Sequence, residues 1–211
     1  MKNLPMFTTE YGVASLTLEK IPYTHQAYIV IQDTCDPGKL LKDCADFCCA
    51  AGAEQVYATG NFIPKEYPLY TEIIVMSRRL QDIPETVAEL VPVDNETLSC
   101  WREIYNEKMR NVPNAAFLSI RDSEKVLNGN AYFIYKEDKM LGIGQIGENT
   151  INAVAAVAPG GGKDTVLALC GAIRADSVFL EVARNNQPAI KLYSGLGFSE
   201  ISTISKWYKI K

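Results

Sequence analysis

The chain carries one histidine, His25, in 211 residues. Without a second imidazole, a zinc site would need two close cysteine pairs, and Cys35, Cys44, Cys48, Cys49, Cys100 and Cys170 do not supply them. Cys44 and Cys48 are four apart in LLKDCADFCCAAG, share a helix face, and read as small buried hydrophobes. No metal is expected. Long apolar runs are missing: none approaches the roughly 20 residues of a membrane helix. The opening MKNLPMFTTEYG has no apolar core of a secretion signal, so a cytoplasmic location and no membrane partner are expected. Basic runs are missing as well. A net charge of -4, with only short clusters such as Arg78-Arg79, gives no electrostatic reason to bind nucleic acid.

What is present is a 47% hydrophobic chain, long enough for one large domain or two small ones. The stretch RRLQDIPETVAELVPVDNETL holds Pro84 and Pro92 among charges and reads as a connector. It predicts a boundary near residue 86, dividing the chain into 1–86 and 87–211. In the first part, residues 13–21 and 27–33 are rich in β-branched side chains and predict strands. Leu40, Leu41, Cys44, Phe47 and Cys48 follow helical spacing over about 37–51, with Gly52 as a stop. EQVYATG and TEIIVMS predict further strands, with a loop or broken helix at PKEYPLY.

The second part predicts strand ELVPV, then a helix through NETLSCWREIYNEKMRN with Asp94 or Asn95 as cap and Pro113 as its end. Its stripe of Trp101, Ile104, Tyr105 and Met109 reads as core packing. A second helix over about 120–127 ends at Asn128-Gly129-Asn130. Strands AYFIYKED and KMLGIGQIG follow, joined by a turn at Glu137-Asp138-Lys139, and then strand TINAVAAVA. A glycine loop, helix DTVLALCGAI, strand SVFLEVA, helix QPAIKLYSGL and two terminal strands, EISTI and SKWYKIK, complete the order. Antiparallel strands followed by a β-α-β crossover make a mixed sheet flanked by helices, an α/β (α+β) domain, with a smaller α/β domain before it.

Two segments point to chemistry. In VAPGGGKDTVLAL a strand runs into Gly160, Gly161 and Gly162 and then into a helix. Glycines let backbone approach a ligand, and a helix start favours anions such as a pyrophosphate. Lys163 adds positive charge. The loop lacks the GK[ST] ending of a Walker loop and the GxGxxG of a dinucleotide fold, and a plain connector fits it equally well. In VFLEVARNNQPAIKLYSGLGF, residues Asn186, Ala189, Leu192, Tyr193, Gly197 and Phe198 fall at fixed spacing between a strand and a strand. This segment resembles the N-x-x-A-x-x-L-Y and G-F motif of the GNAT superfamily of acyl-CoA-dependent N-acyltransferases. The element order of the second half resembles that fold too.

The resemblance implies that acyl-CoA lies between the strands at 150–158 and 178–183. Backbone groups of Ala155 and Val157 would bind the pantetheine arm. Amides of Gly160, Gly161, Gly162, Lys163, Asp164 and Thr165 would hold the pyrophosphate. Asn186 would contact the arm and Tyr193 would protonate the departing thiolate. It implies acetyl transfer from acetyl-CoA to a primary amine of a small molecule or peptide. Asp164 and Val166 stand where the family has glycines; Asp164 can cap the helix, yet its carboxylate opposes a pyrophosphate. A scaffold that binds CoA or a partner without transfer is therefore the alternative. Glu181, Glu148 and Glu137 are the candidate general bases. The first half repeats the later part of the same element order without the glycines or the Asn–Tyr motif, and reads equally as a degenerate GNAT-like lobe or an unrelated extension. His25 reads as a surface residue. The SKWYKIK edge leaves a homodimer open.

Overall fold

The computed structural model describes residues 5–112, 115–128 and 130–211; Pro113 and Gly129, expected at a helix end and a turn, lie outside them. The chain divides into two compact units, Met1–Ile73 with Thr203–Lys211, and Ile74–Ser202.

The first unit contains β1 (Met6–Thr9), β2 (Gly12–Thr17), α1 (Ile21–Thr24), β3 (Gln26–Thr34), α2 (Pro37–Ala50), β4 (Gln55–Thr59), the start of β5 (Leu69–Arg79) and the end of β11 (Ser199–Lys209). Its strand order is β1-β2-β3-β4-β11-β5. β1 escapes the sequence pattern because its four residues are half-exposed and carry no apolar alternation. The helix α2 begins where Asp36 accepts the Lys39 N–H at 3.1 Å and Pro37 sets the first turn. It ends before Gly52, whose φ is 100°. Leu40, Leu41, Cys44 and Cys48 bury its inner face against Ile29, Val56 and Ala58. That helix is the crossover between the parallel strands β3 and β4. His25 is exposed, in left-handed backbone at the end of α1.

The second unit contains the rest of β5, then β6 (Glu89–Pro92), α3 (Leu98–Met109), α4 (Ile120–Ser123) running into a 3-10 turn (Glu124–Asn128), β7 (Ala131–Lys136), β8 (Lys139–Ile146), β9 (Thr150–Ala156), α5 (Gly162–Ala172), β10 (Ser177–Ala183) and α6 (Gln187–Gly195). Strand order is β5-β10-β9-β8-β7-β6. Pairs β6–β7, β7–β8 and β8–β9 are antiparallel, and β9–β10 is parallel. The mixed sheet flanked by helices is thus present as expected. Glu137 and Asp138, with φ of 50° and 60°, form the expected β7–β8 turn.

Two cores lie on opposite faces of this sheet. Trp101 of α3 is fully buried, donates its indole N–H to Tyr132 O at 3.1 Å, and packs with Phe133, Ile143 and Ala155. On the other face α5 lies across β8, where a β-carbon on Gly142 would stand 2.7 Å from Thr165 Oγ1 and one on Gly144 2.4 Å from Leu169 Cδ1. The i, i+2 glycines of the strand admit the i, i+4 residues of the helix. Ile74 and Met76, read from sequence with the first half, belong to this core. The two expected terminal strands are one, Ser199–Lys209, since no glycine, proline or asparagine interrupts the run.

Candidate functional site

Strands β9 and β10 pair only at Phe179↔Thr150 and Leu180↔Ile151. Both then continue, to Ala156 and Ala183, without pairing to each other. The cause lies on the other edge of β9. Ile146 of β8 faces Ile151 whereas Gln145 faces Ala153, so Asn152 is an extra residue, a bulge that bends its strand. The bulge follows directly on the last residue paired with β10, and a wedge-shaped gap opens from there.

The gap leads to the start of α5. Gly160 takes φ 77°, with nothing within 4 Å of where a β-carbon would be, and Gly161 is the N-cap residue without a side-chain cap. The first-turn amides of Gly162, Lys163 and Asp164 therefore have no acceptor within the helix. Three expected backbone donors are already used. Val157 N–H bonds Leu141 O at 2.8 Å, Gly161 N–H bonds Ala158 O at 3.0 Å, and Thr165 N–H bonds Gly161 O at 3.0 Å. Backbone groups alternate between the two edges of a strand, so Ala155 shares the β8 edge with Val157. Val154 and Ala156 carry the groups on the gap side, one residue out of step with the sequence expectation.

Asp164 does not cap α5. Lying in the first turn, three residues after the N-cap Gly161, it meets Lys136 Nζ at 3.0 Å and accepts the Thr86 hydroxyl at 3.2 Å. The Lys136 ammonium holds this carboxyl below its usual range, helped by Thr86 and by the charge of Lys163, which is itself exposed. Lys136 and Thr86 are 28 and 78 residues away along the chain, and nothing local marks either of them.

On the far side of the gap, Asn186 caps α6, its side chain accepting the Ala189 N–H at 3.4 Å. Leu192 brings α6 to the glycine loop, since a β-carbon on Gly162 would lie 3.1 Å from Leu192 Cδ2. Gly197, at φ 82°, turns the chain so that Phe198 N–H bonds Tyr193 O at 3.0 Å and the two rings stand 5.9 Å apart. Arg78 adds its guanidinium to Leu196 O at the end of the helix, a second long-range contact invisible in the sequence pattern. The Tyr193 ring is buried, and burial pushes its phenol up to about 12. No buried side-chain polar atom among the described residues lacks a partner, so its hydroxyl, which makes no hydrogen bond to them, reaches the surface.

The structure thus gathers Gly160–Asp164, Leu192 and the gap-side edge of β9 at one end of the wedge. At the other end, the vertex, a cavity of about 420 Å³ is lined by Asn152, Phe179 and Glu181 among others. Tyr193 and Asn186 do not line it. Of the three candidate bases only Glu181 does; Glu148 lies exposed between β8 and β9, and Glu137 is in the β7–β8 turn.

No protein-family model matches the chain, and no curated protein matches it in sequence. Solved structures do match. A conserved protein of unknown function from Staphylococcus epidermidis ATCC 12228 is 10% identical with a TM-score of 0.60, over 99% of this chain and 94% of that one. A GCN5-related N-acetyltransferase from Sphaerobacter thermophilus is 14% identical with a TM-score of 0.54, over 93% of this chain and 75% of that one. Another from Anabaena variabilis ATCC 29413 is 12% identical with a TM-score of 0.59, over 87% of this chain but only 54% of that one. At these identities the likeness is one of fold: this chain has a GNAT-like fold.

Proposed function

We propose that the wedge between β9 and β10 takes an acyl-CoA, acetyl-CoA first among them, and that the protein transfers the acyl group to a primary amine. The observation that carries this reading is the parting of the two parallel strands at the Asn152 bulge, with an uncapped helix start at the open end. The first-turn amides of Gly162, Lys163 and Asp164 meet the pyrophosphate, and Lys163 adds charge. Lys136 neutralises Asp164, so the carboxylate does not cancel this attraction. Free edge groups of Val154 and Ala156 bind the amide arm as another strand would. Asn186 stands at the far wall.

The acyl thioester then lies at the vertex. The neutral amine nitrogen attacks its carbonyl carbon, the C–N bond forms, and the C–S bond breaks. The departing thiolate takes a proton, for which Tyr193 is the candidate donor from α6, outside the vertex cavity lining; its buried phenol stays protonated at neutral pH. The nitrogen sheds one proton to water, which in turn re-protonates the phenolate left at Tyr193. The test is thermal unfolding with acetyl-CoA, CoA and ADP. Saturation a hundredfold above Kd stabilises a fold by about 2.7 kcal/mol. A shift with the two CoA compounds beyond that with ADP is expected, and no shift with either would overturn the reading. Tyr193→Phe should keep the shift and slow turnover; unchanged turnover would remove the acid role. Tyr193 lies outside the lining of the vertex cavity, which favours the alternative, CoA binding without transfer; a shift without turnover on any amine would select it.

A further inference from the structure

The vertex cavity of about 420 Å³ lies where the wedge ends. Leu180, Ile151, Ile74 and Met76 face the α5 side of the sheet, as members of that core. By strand alternation Phe179 and Glu181 on β10 and Val75 on β5 face the other side, the one covered further along by α3. Phe179, Glu181 and Val75 line the cavity from this second face, beside Leu180 and Ile151. Its chemistry is simple. Val75 and Phe179 are its apolar wall, and among the described residues Glu181 is the one charged side chain in the lining, without a lysine or arginine. Thr150 donates to Asn152 Oδ1 at 2.8 Å, which fixes that amide beside the bulge.

Resting on the acyl-transfer reading, we propose that this cavity receives the acceptor, and that the acceptor is a monoamine with an apolar body and no acidic group beside the nitrogen. An acyl arm entering from the α5 end has its thioester at the deepest point of the wedge, and the cavity adjoins that point. Glu181 attracts the ammonium form of an amine and holds it at the mouth, where it loses a proton to water before the neutral nitrogen attacks. A carboxylate beside the amine, as in a free amino acid, would face Glu181 with no cation to offset it. A second ammonium, as in a polyamine, would find no second carboxylate. Phe179 and Val75 accept an aryl or alkyl body, and the volume is at the small end of small-molecule pockets, about 300–1,000 Å³.

The experiment measures CoA release by the full chain from acetyl-CoA with 2-phenylethylamine, phenylalanine, spermidine and ethylamine, with the acetyl-CoA thermal shift recorded on the same preparation. The expected kcat/KM for 2-phenylethylamine exceeds those for phenylalanine and spermidine by about tenfold or more. Glu181→Gln should lower it about fivefold, mainly through KM, with Glu181→Asp recovering part. Phe179→Ala should lower it more for 2-phenylethylamine than for ethylamine. A preference for phenylalanine or spermidine, or no turnover of any amine despite a clear acetyl-CoA shift, would overturn the acceptor assignment and leave acyl-CoA binding standing. Absence of the shift itself would overturn both.

Discussion

The two units each contain a β-α-β crossover between parallel strands, and the pair differ at the points that matter for a ligand. In the first, β3 and β4 pair at five successive positions, from Gln26↔Gln55 to Val30↔Thr59. In the second, β9 and β10 pair at two and then part. Both leading strands carry a bulge, for β3 has an extra residue at Gln32 just as β9 has at Asn152. A bulge alone therefore does not open a cleft. In the first unit Gly60, directly after β4, stays so close to β3 that a β-carbon on it would be 2.9 Å from Ile31 Cβ. The crossover helices differ in the same sense. The start of α2 is closed by its own Asp36 and by Pro37, while α5 starts with glycines and no cap. One crossover is a closed core, and the other opens a wedge that leads to an uncapped helix start.

The largest expected effects are ones the two crossovers should share. Leu41 of α2 and Leu169 of α5 are fully buried, and truncating either to alanine should cost about 2–5 kcal/mol in denaturant unfolding. A much smaller loss at Leu169 would mean that α5 is not packed as a core helix. Next comes Gly60→Ala, in left-handed extended backbone at φ 152° and against Ile31. It should destabilise by about 1–3 kcal/mol and leave the acetyl-CoA shift of the remaining folded protein intact. Loss of that shift would tie the closed crossover to binding.

Asp36→Ala should cost about 1 kcal/mol, the typical value of a helix cap, with no effect on acetyl-CoA. Lys136→Met should instead weaken acetyl-CoA binding with little change in stability, and adding Asp164→Asn should restore it. If Lys136→Met binds as well as the parent, charge neutralisation at the loop is not needed. The smallest effects concern pH. The carboxyls of Asp36 and Asp164 both lie below their usual range, the first chiefly through the Lys39 backbone N–H, the second through the Lys136 side chain. A depressed carboxyl contributes stability above its unfolded pKa, near 3.9, and loses it as pH falls through the folded value. Carbon-detected NMR titration should show Lys136→Met raising Asp164 toward the ordinary range, while Lys39→Met leaves most of the Asp36 shift in place.

Much of this was legible in sequence where the signal is local. The α2 and α6 helices carry their caps and apolar spacing within a dozen residues, and Asn186 through Phe198 form one contiguous motif. What the sequence hid depends on pairing across the chain. The bulge at Asn152 exists only relative to β8, and it is hydrogen bonding to Leu141 that puts Val157 on the β8 edge. The Lys136–Asp164 pair, the Arg78 cap on Leu196 and the close approach of Gly142 and Gly144 to α5 are likewise tertiary facts. The cation that pairs with Asp164 in the glycine loop comes from another strand, which no local pattern can show.

The most direct test is hydrogen–deuterium exchange with and without acetyl-CoA. Protection confined to residues 152–165 and 181–187, with residues 31–39 and 59–60 unchanged, is the predicted result. Protection at the first crossover, or none in the second at saturating acetyl-CoA, would contradict the assignment of the ligand to the wedge between β9 and β10.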